Sequence, residues 1–514
     1  MAITESKVET ELKLRLSTKS VRALLECPSL SATRDAGAAT TVKLRTIYFD
    51  SPDRTLWQAG VALRLRRVGR RWIQSIKLTS SEHAGLHRHG ELETVVPGAT
   101  PALDELPDTI RTLIEDHRAD LAPVFETEVQ RTLVPVALGD GQMIELAIDR
   151  GRIKAKGESE ALCEAELEIK EGSAARVFEF ALELHRSVSF VLEHRTKAAR
   201  GYALADAQAP RPRMAQGLVL TPDMPANQAL ALAAGDGLRQ MGANEAIARL
   251  GEDIEGVHQM RVGLRRLKVA FTLATNVRSD FATGGLSTEL SWIGDVLGRA
   301  RDLDVFIDET LEPLRAKLTP AREIDQLIDQ ATALRRKAYD TLRACLDSPR
   351  YTDLQLRIGA WVAALSEHAT DQPAFPPLSE VAPPLLSKRR RQIRRFVRDH
   401  GWQTKSELHE FRLHAKKLRY AATFFAPLYP RKRTKTFIGH LAQLQDALGL
   451  AHDGEVARAL LAELGTRPTI DAPPAQAWRQ ADSLIEGWHL ARASHLAQQI
   501  EEAWHALDEA KRFW

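Results

Sequence analysis

Cysteine is nearly absent: Cys27, Cys163 and Cys345 are three in 514 residues, too few and too widely spaced for a disulfide framework, and without a Cys-x-x-Cys pair they offer no thiolate zinc site. Their scarcity fits a reducing compartment. No apolar run reaches the roughly 18 residues that a bilayer-spanning helix requires, and residues 1–6 lack the apolar core of a secretion signal, so the expected location is the cytoplasm. Net charge is also nearly absent, at +3 from 71 basic and 68 acidic residues. The sum conceals segregation, because carboxylates gather over 158–171 and cations over 388–435, the pattern of a chain with separate ligands.

The length exceeds the roughly 250–300 residues at which a single hydrophobic core stops growing, and 44% hydrophobic with 27% charged residues is the make-up of folded domains, so two domains are expected. Over residues 8–170 apolar and polar residues alternate in short runs, at 8–16, 42–49, 61–67, 72–78, 91–96, 125–136 and 143–149, the period of strands. Helices are expected at 18–26, 103–116 and 173–192, giving an α+β domain over 1–206. The aperiodic run Ala207-Gln208-Ala209-Pro210-Arg211-Pro212-Arg213 opens a linker over 207–226. From 227 to 514 no strand pattern appears. Apolar residues recur every three or four positions at 228–253, 257–276, 327–346 and 475–510, and the second domain is expected to be all α.

The helical part repeats itself. His258-Gln259-Met260-Arg261-Val262 with Arg265-Arg266-Leu267-Lys268 matches His409-Glu410-Phe411-Arg412-Leu413 with Lys416-Lys417-Leu418-Arg419, and Leu297-Gly298-Arg299-Ala300-Arg301-Asp302-Leu303-Asp304-Val305 matches Leu448-Gly449-Leu450-Ala451-His452-Asp453-Gly454-Glu455-Val456. Both pairs are offset by 151 residues (258 to 409, 297 to 448), so a duplicated helical bundle is expected.

In the strand-rich part, charge follows the alternation. Glu9, Glu11, Lys13 and Arg15 share one face of the first run, Arg64 and Arg66 one face of another, Glu91 and Glu93 of a later one, and Glu164, Glu166 and Glu168 of the last. A single such strand is explained by a solvated sheet face, and surface ion pairs contribute only about 0–1 kcal/mol each. The recurrence points instead to strands closed into a barrel with charged faces inward, offering carboxylates to hard divalent cations and Arg or Lys to phosphate oxygens. His83, His87 and His89 lack a regular ligand spacing and are read as solvated residues of a loop-like stretch.

Glu9-Thr10-Glu11-Leu12-Lys13 resembles the ExExK signature of the CYTH superfamily, the triphosphate tunnel metalloenzymes. The segments that follow keep that family's order: Tyr48-Phe49-Asp50, Leu63-Arg64-Leu65-Arg66, Ile76-Lys77, Glu91-Leu92-Glu93, Arg131, Ile148-Asp149-Arg150-Gly151, Glu164-Ala165-Glu166-Leu167-Glu168-Ile169-Lys170 and Lys197-Ala198-Ala199-Arg200-Gly201-Tyr202. The resemblance implies an eight-stranded antiparallel tunnel that cleaves a phosphoanhydride bond of a triphosphate with Mg²⁺ or Mn²⁺. It implies that Lys13, Arg64, Arg66, Lys77, Arg131, Lys197 and Arg200 hold phosphate oxygens. Glu9, Glu11, Glu166 and Glu168 would carry the metal, with Glu164 and Asp149 as further members. Arg15 continues the inward face beyond the signature, and around Arg88 the match slips by a residue, so both places stay open. The expected reaction is hydrolysis of inorganic triphosphate to pyrophosphate and phosphate. Adenylate cyclase, thiamine triphosphatase and an inactive scaffold are the alternatives.

On a helix, His258, Arg261, Arg265 and Lys268 form one stripe, and His409, Arg412, Lys416 and Arg419 form its second copy. A solvated face needs no such fixed order. This half resembles the CHAD family over 227–510, through His258-x-x-Arg261-Val262, Leu297 to Val305, His409-x-x-Arg412 and Leu444-Gln445-Asp446-Ala447-Leu448-Gly449. The resemblance implies two pseudo-symmetric bundles with a basic channel for inorganic polyphosphate. His452 and Glu455 replace Arg301 and Asp304 in the second copy, so the two halves are not expected to be equal. The basic run 388–398, with Lys388, Arg391 and Arg395, extends the cationic surface. Interleaved aromatics, zinc fingers and recognition helices are absent from the pattern, so no specific nucleic-acid partner is expected, nor a membrane. Polyphosphate binding should weaken with salt and strengthen as pH falls toward the ordinary histidine value of about 6.5. Association with polyphosphate granules is a further expectation, and the sequence leaves the oligomeric state open.

Overall fold

The computed structural model describes residues 7–33, 39–277, 285–317, 322–367, 375–465, 483–485, 487–488 and 495–514. The chain forms two compact units: Met1–Met214 with Leu238–Ile247 and Leu346–Glu367, and Ala215–Gly237 with Ala248–Cys345 and His368–Trp514.

In the first unit β1 (Lys7–Leu16), β2 (Thr40–Asp50), β3 (Val61–Val68), β4 (Arg71–His83), β5 (Leu86–Val96), β6 (Ala122–Gly139), β7 (Gln142–Ala155) and β8 (Glu158–Glu171) pair in the order β5-β4-β3-β2-β6-β7-β8-β1, and β1 pairs back onto β5. The result is the expected closed antiparallel barrel of eight strands. Two-residue turns fit its tight hairpins: Ala84 and Gly85 join β4 to β5 at φ 50° and 74°, and Lys156 and Gly157 join β7 to β8 at φ 48° and 88°. Two expectations are corrected. Pro107 interrupts the helix expected at 103–116, leaving the short helix Asp108–Leu113 between 3₁₀ turns. The helix expected at 173–192 ends at His185, and Phe190–Leu192 becomes β9, extending the sheet beside β1.

On the outer face Phe49, Leu56, Leu63, Leu65 and Ile76 pack with Ile110 and Ile114. On the inner face, where Tyr48 lies opposite Arg64 in the β2–β3 register, Leu44, Tyr48, Phe125, Val129, Ile153 and Leu162 pack against Ala198, Tyr202 and Ala205 of the helix Lys197–Ala205. Burial of outer faces under helices leaves the inner faces free to be charged. Gly201 permits the close approach, since a Cβ there would lie 2.1 Å from the Phe125 ring. Asp50 accepts hydrogen bonds from the Ser51, Leu56 and Trp57 N–H groups and from the Tyr202 hydroxyl at 2.8–3.0 Å, fixing that helix to β2.

At the β4–β5 hairpin the unit holds a buried imidazolium. His194 Nδ1 lies 3.0 Å from Glu82 Oε1 and its Nε2 3.6 Å from Glu245 Oε1, while Tyr351 and Gln355 donate to the same Glu245 oxygen at 2.7 and 2.8 Å. Burial lowers the His194 pKa, but the Glu245 and Glu82 carboxylates outweigh it and push it up to about 10.

In the second unit the helix Glu255–Val277 buries Met260, Leu264, Leu267, Phe271 and Ala274, one stripe at helical spacing. The helix Lys405–Phe425 buries Phe411, Ala415, Leu418, Ala422 and Phe425, the same positions 151 residues later. Phe271 and Ala274 in one copy become Ala422 and Phe425 in the other, an exchange that conserves the volume of the pair while the two cores differ. Part of the helix expected over 475–510 falls outside the described residues; Leu496–Glu509 is helical. No helix among the described residues is long and apolar enough to cross a membrane.

Candidate functional site

Several ion pairs in the barrel skip a strand, which only side chains on the concave face can do. Arg64 of β3 reaches over β4 to Glu91 of β5 (Nη2 to Oε1, 2.6 Å). Lys77 of β4 reaches over β5 to Glu9 of β1 (3.4 Å), and Arg131 of β6 over β7 to Glu166 of β8 (2.7 Å). The interior therefore holds Glu9, Glu11, Lys13, Arg64, Lys77, Glu91, Arg131, Asp149, Glu164 and Glu166 together.

Two networks divide these groups. In one, Arg131 makes a two-pronged contact with Asp149 at 2.8 and 2.6 Å, and Lys197 lies 2.8 Å from Asp149 and 2.9 Å from Glu166, with Glu164 in direct contact. Lys13 joins through Glu166 and, at 2.7 Å, through Glu11. In the other, Lys77 lies 2.8 Å from both Glu91 and His89, and His89 Nε2 lies 3.3 Å from Glu9. Burial raises the Glu11 and Asp149 carboxyls, but Lys13 and Lys77 around the first, and Lys197 and Arg131 around the second, outweigh it and hold each at about 2. Burial likewise works against ionised Glu166 and is outweighed by Lys13, Lys197 and Arg131, so its carboxyl stays well below the ordinary range.

Arg66 is the exception. Its Nε is buried without a partner, and no ion pair reaches it among the described residues. Burial, with Arg64 and Arg131 nearby, pushes its pKa down to about 10. A guanidinium held among like charges with no carboxylate of its own is arranged for an anion from outside the chain.

Asp149, Glu164 and Glu166 are buried, and three of their oxygens lie within 4.8 Å of one another. An all-carboxylate set of that size fits a hard divalent cation. Glu168 lies opposite Glu11 in the β1–β8 register but outside this cluster, 2.7 Å from Lys170, and burial and Glu9 raise its pKa. Arg200 is occupied by the protein: Glu160 (2.9 Å), Glu164 (3.2 Å) and the Ala161 carbonyl (3.0 Å) take its donors, which suits holding Glu164 in place. Arg15 and Arg88 are exposed.

The histidine expectation is corrected. His87 and His89 are buried, on β5 rather than in a loop, and His87 Nε2 lies 3.2 Å from the Glu193 carbonyl. Polar residues at nearly every position of His87-Arg88-His89-Gly90-Glu91 hide the strand alternation, which is legible only as His87, His89, Glu91 and Glu93 at every second place. His89 is the interior residue that was expected in solvent, whereas Glu91 was expected on an inward charged face and lies there.

In the helical unit the two copies approach each other, with the helix Glu255–Val277 packed on Lys405–Phe425. Burial and the neighbouring Arg265, Arg301 and Arg412 lower the Arg261 pKa against the opposing pull of Asp302. Arg261 and Arg412 are the equivalent positions of the repeat. Arg301 belongs to this cationic group although the sequence reading gave it no role; its place in the repeated Arg299-Ala300-Arg301-Asp302 motif was the available signal. His258 is pushed below its ordinary value by burial and by Arg301, Arg265 and Arg261, so its protonation belongs below pH 6.5, lower than expected. Arg265, Lys268 and His409 are exposed; Lys416 is partly buried, and Arg419 donates to Gln445 at 2.7 Å. On the helix Leu378–His400, Lys388 donates to Asn276 at 3.0 Å, Arg391 is exposed and Arg395 pairs with Asp399 at 3.3 Å.

A model of the CYTH domain matches residues 7–202, and a model of the CHAD domain matches 232–462. An inorganic triphosphatase of Haemophilus influenzae is 27% identical over 201 residues, 39% of this chain and 56% of the relative. An uncharacterised protein of Mycobacterium tuberculosis is 26% identical over 269 residues, 50% of this chain and 49% of the relative. The chain thus spans about half the length of the curated relatives it matches. The crystal structure of a CHAD domain from the plant Ricinus communis superposes with a TM-score of 0.51 at 27% identity, covering 59% of this chain and 99% of that one. Residues 7–202 thus carry a CYTH domain and residues 232–462 a CHAD domain.

Proposed function

We propose that the barrel hydrolyses inorganic triphosphate with the help of Mg²⁺ or Mn²⁺, and that the helical part binds polyphosphate. The observation that carries the first reading is Arg66, an unpaired guanidinium beside Arg64 and Arg131 inside a closed barrel. A triphosphate carries about four negative charges, more than Arg66 alone can meet. The remaining cations, Lys13, Arg64, Lys77, Arg131 and Lys197, are each held by carboxylates and become available only if those carboxylates acquire another cation. Asp149, Glu164 and Glu166 would hold that ion, with Glu9 and Glu11 across from them. Bound there, a divalent cation supplies charge neutralisation and a more acidic water. The chain's own part is to align the phosphates: Arg64 and Arg66 present two guanidinium groups from one face of β3, and Arg131 a third from β6, where each stabilises charge developing on equatorial oxygens.

Polyphosphate has about one charge per phosphate and no bases to read. The group Arg261, Arg265, Arg301 and Arg412, destabilised by its own like charge, suits it. Three free cysteines agree with a reducing, cytoplasmic setting.

Phosphate release by the full chain should be measured for tripolyphosphate, ATP, thiamine triphosphate and long-chain polyphosphate with either metal. Tripolyphosphate is expected to be the best substrate. Glu166→Gln and Arg64→Ala should each lower its turnover at least about 100-fold. Undiminished turnover in both variants, or cyclic nucleotide formation from ATP, would remove the reading.

A further inference from the structure

Lys13 is held in the tunnel by its backbone as well as by its side chain. Its N–H donates to the Gly85 carbonyl at 2.9 Å, and its carbonyl accepts from the Glu193 N–H at 2.9 Å. Gly85 belongs to the turn between β4 and β5, where a Cβ would lie 3.2 Å from the Lys13 carbonyl oxygen, so the turn and β1 are pressed together. Glu82 Oε1 fixes that turn by accepting from the Gly85 N–H at 3.0 Å, and the same oxygen meets His194 Nδ1 at 3.0 Å. On the far side of the turn, His87 Nε2 lies 3.2 Å from the Glu193 carbonyl. Lys13, the turn and the Glu193-His194 step form one circuit of contacts, and His194 is the member that reaches beyond it. Its Nε2 pairs with Glu245 Oε1 at 3.6 Å, an oxygen already held by Tyr351 and by the Gln355 amide, which also lies 3.2 Å from that ring nitrogen. Glu245 comes from residues 238–247, and Tyr351 and Gln355 from 346–367, segments that lie inside the CHAD match and yet belong to the unit of the barrel.

We propose that His194 is a positioning residue for the tunnel: as an imidazolium drawn to both Glu82 and Glu245 it fixes the β4–β5 turn, and through Gly85 and Glu193 it sets where Lys13 stands. The proposal rests on reading the barrel as a triphosphate site in which Lys13 meets phosphate. A neutral ring has one N–H and satisfies one carboxylate, whereas the imidazolium has two. Glu82 and Glu245 are the ionised groups that face the ring, with His83 and His87 beyond Glu82 and the Glu193–Arg195 pair beside it in the chain. Burial lowers the His194 pKa, but the two carboxylates push it up to about 10, so the clamp is closed at neutral pH. The Lys13 ammonium touches both Glu166 and Glu11, and a shift of its backbone changes both contacts together with its reach to phosphate.

The test compares the full chain with Glu245→Gln, His194→Gln and the double variant, reading turnover of tripolyphosphate with Mg²⁺ from about pH 6.5 to 9.5. Each rate is taken as a ratio to the unmodified protein at the same pH, which cancels titration of substrate and metal. Glu245→Gln removes the stronger of the two pulls on the ring proton. Its kcat ratio is expected to stand near one at the acid end and to fall about tenfold or more at the alkaline end, while His194→Gln is low throughout without that slope. The double variant should be as flat as His194→Gln. Thermal melting establishes that each variant is folded, and His194→Asn replaces His194→Gln if the latter melts early. A level ratio for Glu245→Gln, or a fall that survives loss of His194, overturns the proposal. Hydrogen exchange reads the clamp without turnover: the amides of Lys13, Gly85 and Glu193 should exchange faster in His194→Gln than in the unmodified protein at neutral pH, and equal rates would also overturn it. Failure of the underlying reading looks different: the unmodified protein releases no phosphate from tripolyphosphate, and the exchange rates alone then decide whether His194 holds the turn.

Discussion

Arg66→Met is expected to make the barrel more stable and worse at holding its ligand. The guanidinium is brought down from the ordinary arginine range to about 10 by burial, Arg64 and Arg131. Taken at about 1.4 kcal/mol per unit, that shift corresponds to roughly 3 kcal/mol against the charged form. Arg66 is only partly buried, and solvent screening of that order halves the figure, leaving about 1–2 kcal/mol that methionine recovers by removing the charge while keeping the apolar stem. For a domain of this size that raises the barrel's melting temperature by about 2–8 °C. The same substitution deletes a charge-assisted contact to phosphate worth roughly 2–3 kcal/mol, or about 30–150-fold in affinity. Calorimetric melting with and without tripolyphosphate, in chelator so that no turnover occurs, reads both effects. A variant that melts below the unmodified protein, or that gains as much from tripolyphosphate, would refute the view of Arg66 as an uncompensated cation awaiting an anion.

The His194 cluster makes stability depend on pH. Its folded pKa of about 10 lies above the ordinary 6.5, so its contribution is complete below pH 6.5 and is lost as pH rises through 10, and urea unfolding should show a loss of up to about 5 kcal/mol across that window. Glu245→Gln should flatten the decline; an unchanged slope would mean that another group titrates. Gly242→Ala should destabilise the protein by about 2–4 kcal/mol, because a Cβ there would lie 2.3 Å from His194 Nδ1, and an unaltered urea midpoint would contradict that packing. In the helical part, Arg261→Ala/Arg412→Ala should weaken polyphosphate binding and reduce the salt dependence of log K by about 1–2. Equal slopes in titrations from 50 to 300 mM salt would place the polyanion elsewhere.

Much of the architecture was open to reading because it is periodic. Alternation along Glu9-Thr10-Glu11-Leu12-Lys13 and along Glu164 to Glu168 marks strands with one charged face, and spacing in Met260-x-x-x-Leu264-x-x-Leu267 marks a helix with one buried stripe. The repeat at 151 residues predicts two related helices, which bury matching positions. Where local pattern fails, the reading failed with it. His87 and His89 sit in a run polar at every position but Gly90, so no alternation announces a strand, and Pro107 divides a stretch whose apolar spacing alone looks helical.

The sequence by itself determined which faces are charged, which segments are strands or helices, and that the helical part is duplicated, because each of these is written in the spacing of near neighbours. Only the tertiary structure decided that Lys13 meets Glu166, that Lys77 sits among Glu9, His89 and Glu91, that Arg66 is left without a partner, and that residues 238–247 and 346–367 join the unit containing the barrel. Those facts depend on barrel closure and on contacts between groups as far apart in sequence as 153 positions for Lys13 and Glu166 and 161 for His194 and Gln355, for which no local period exists.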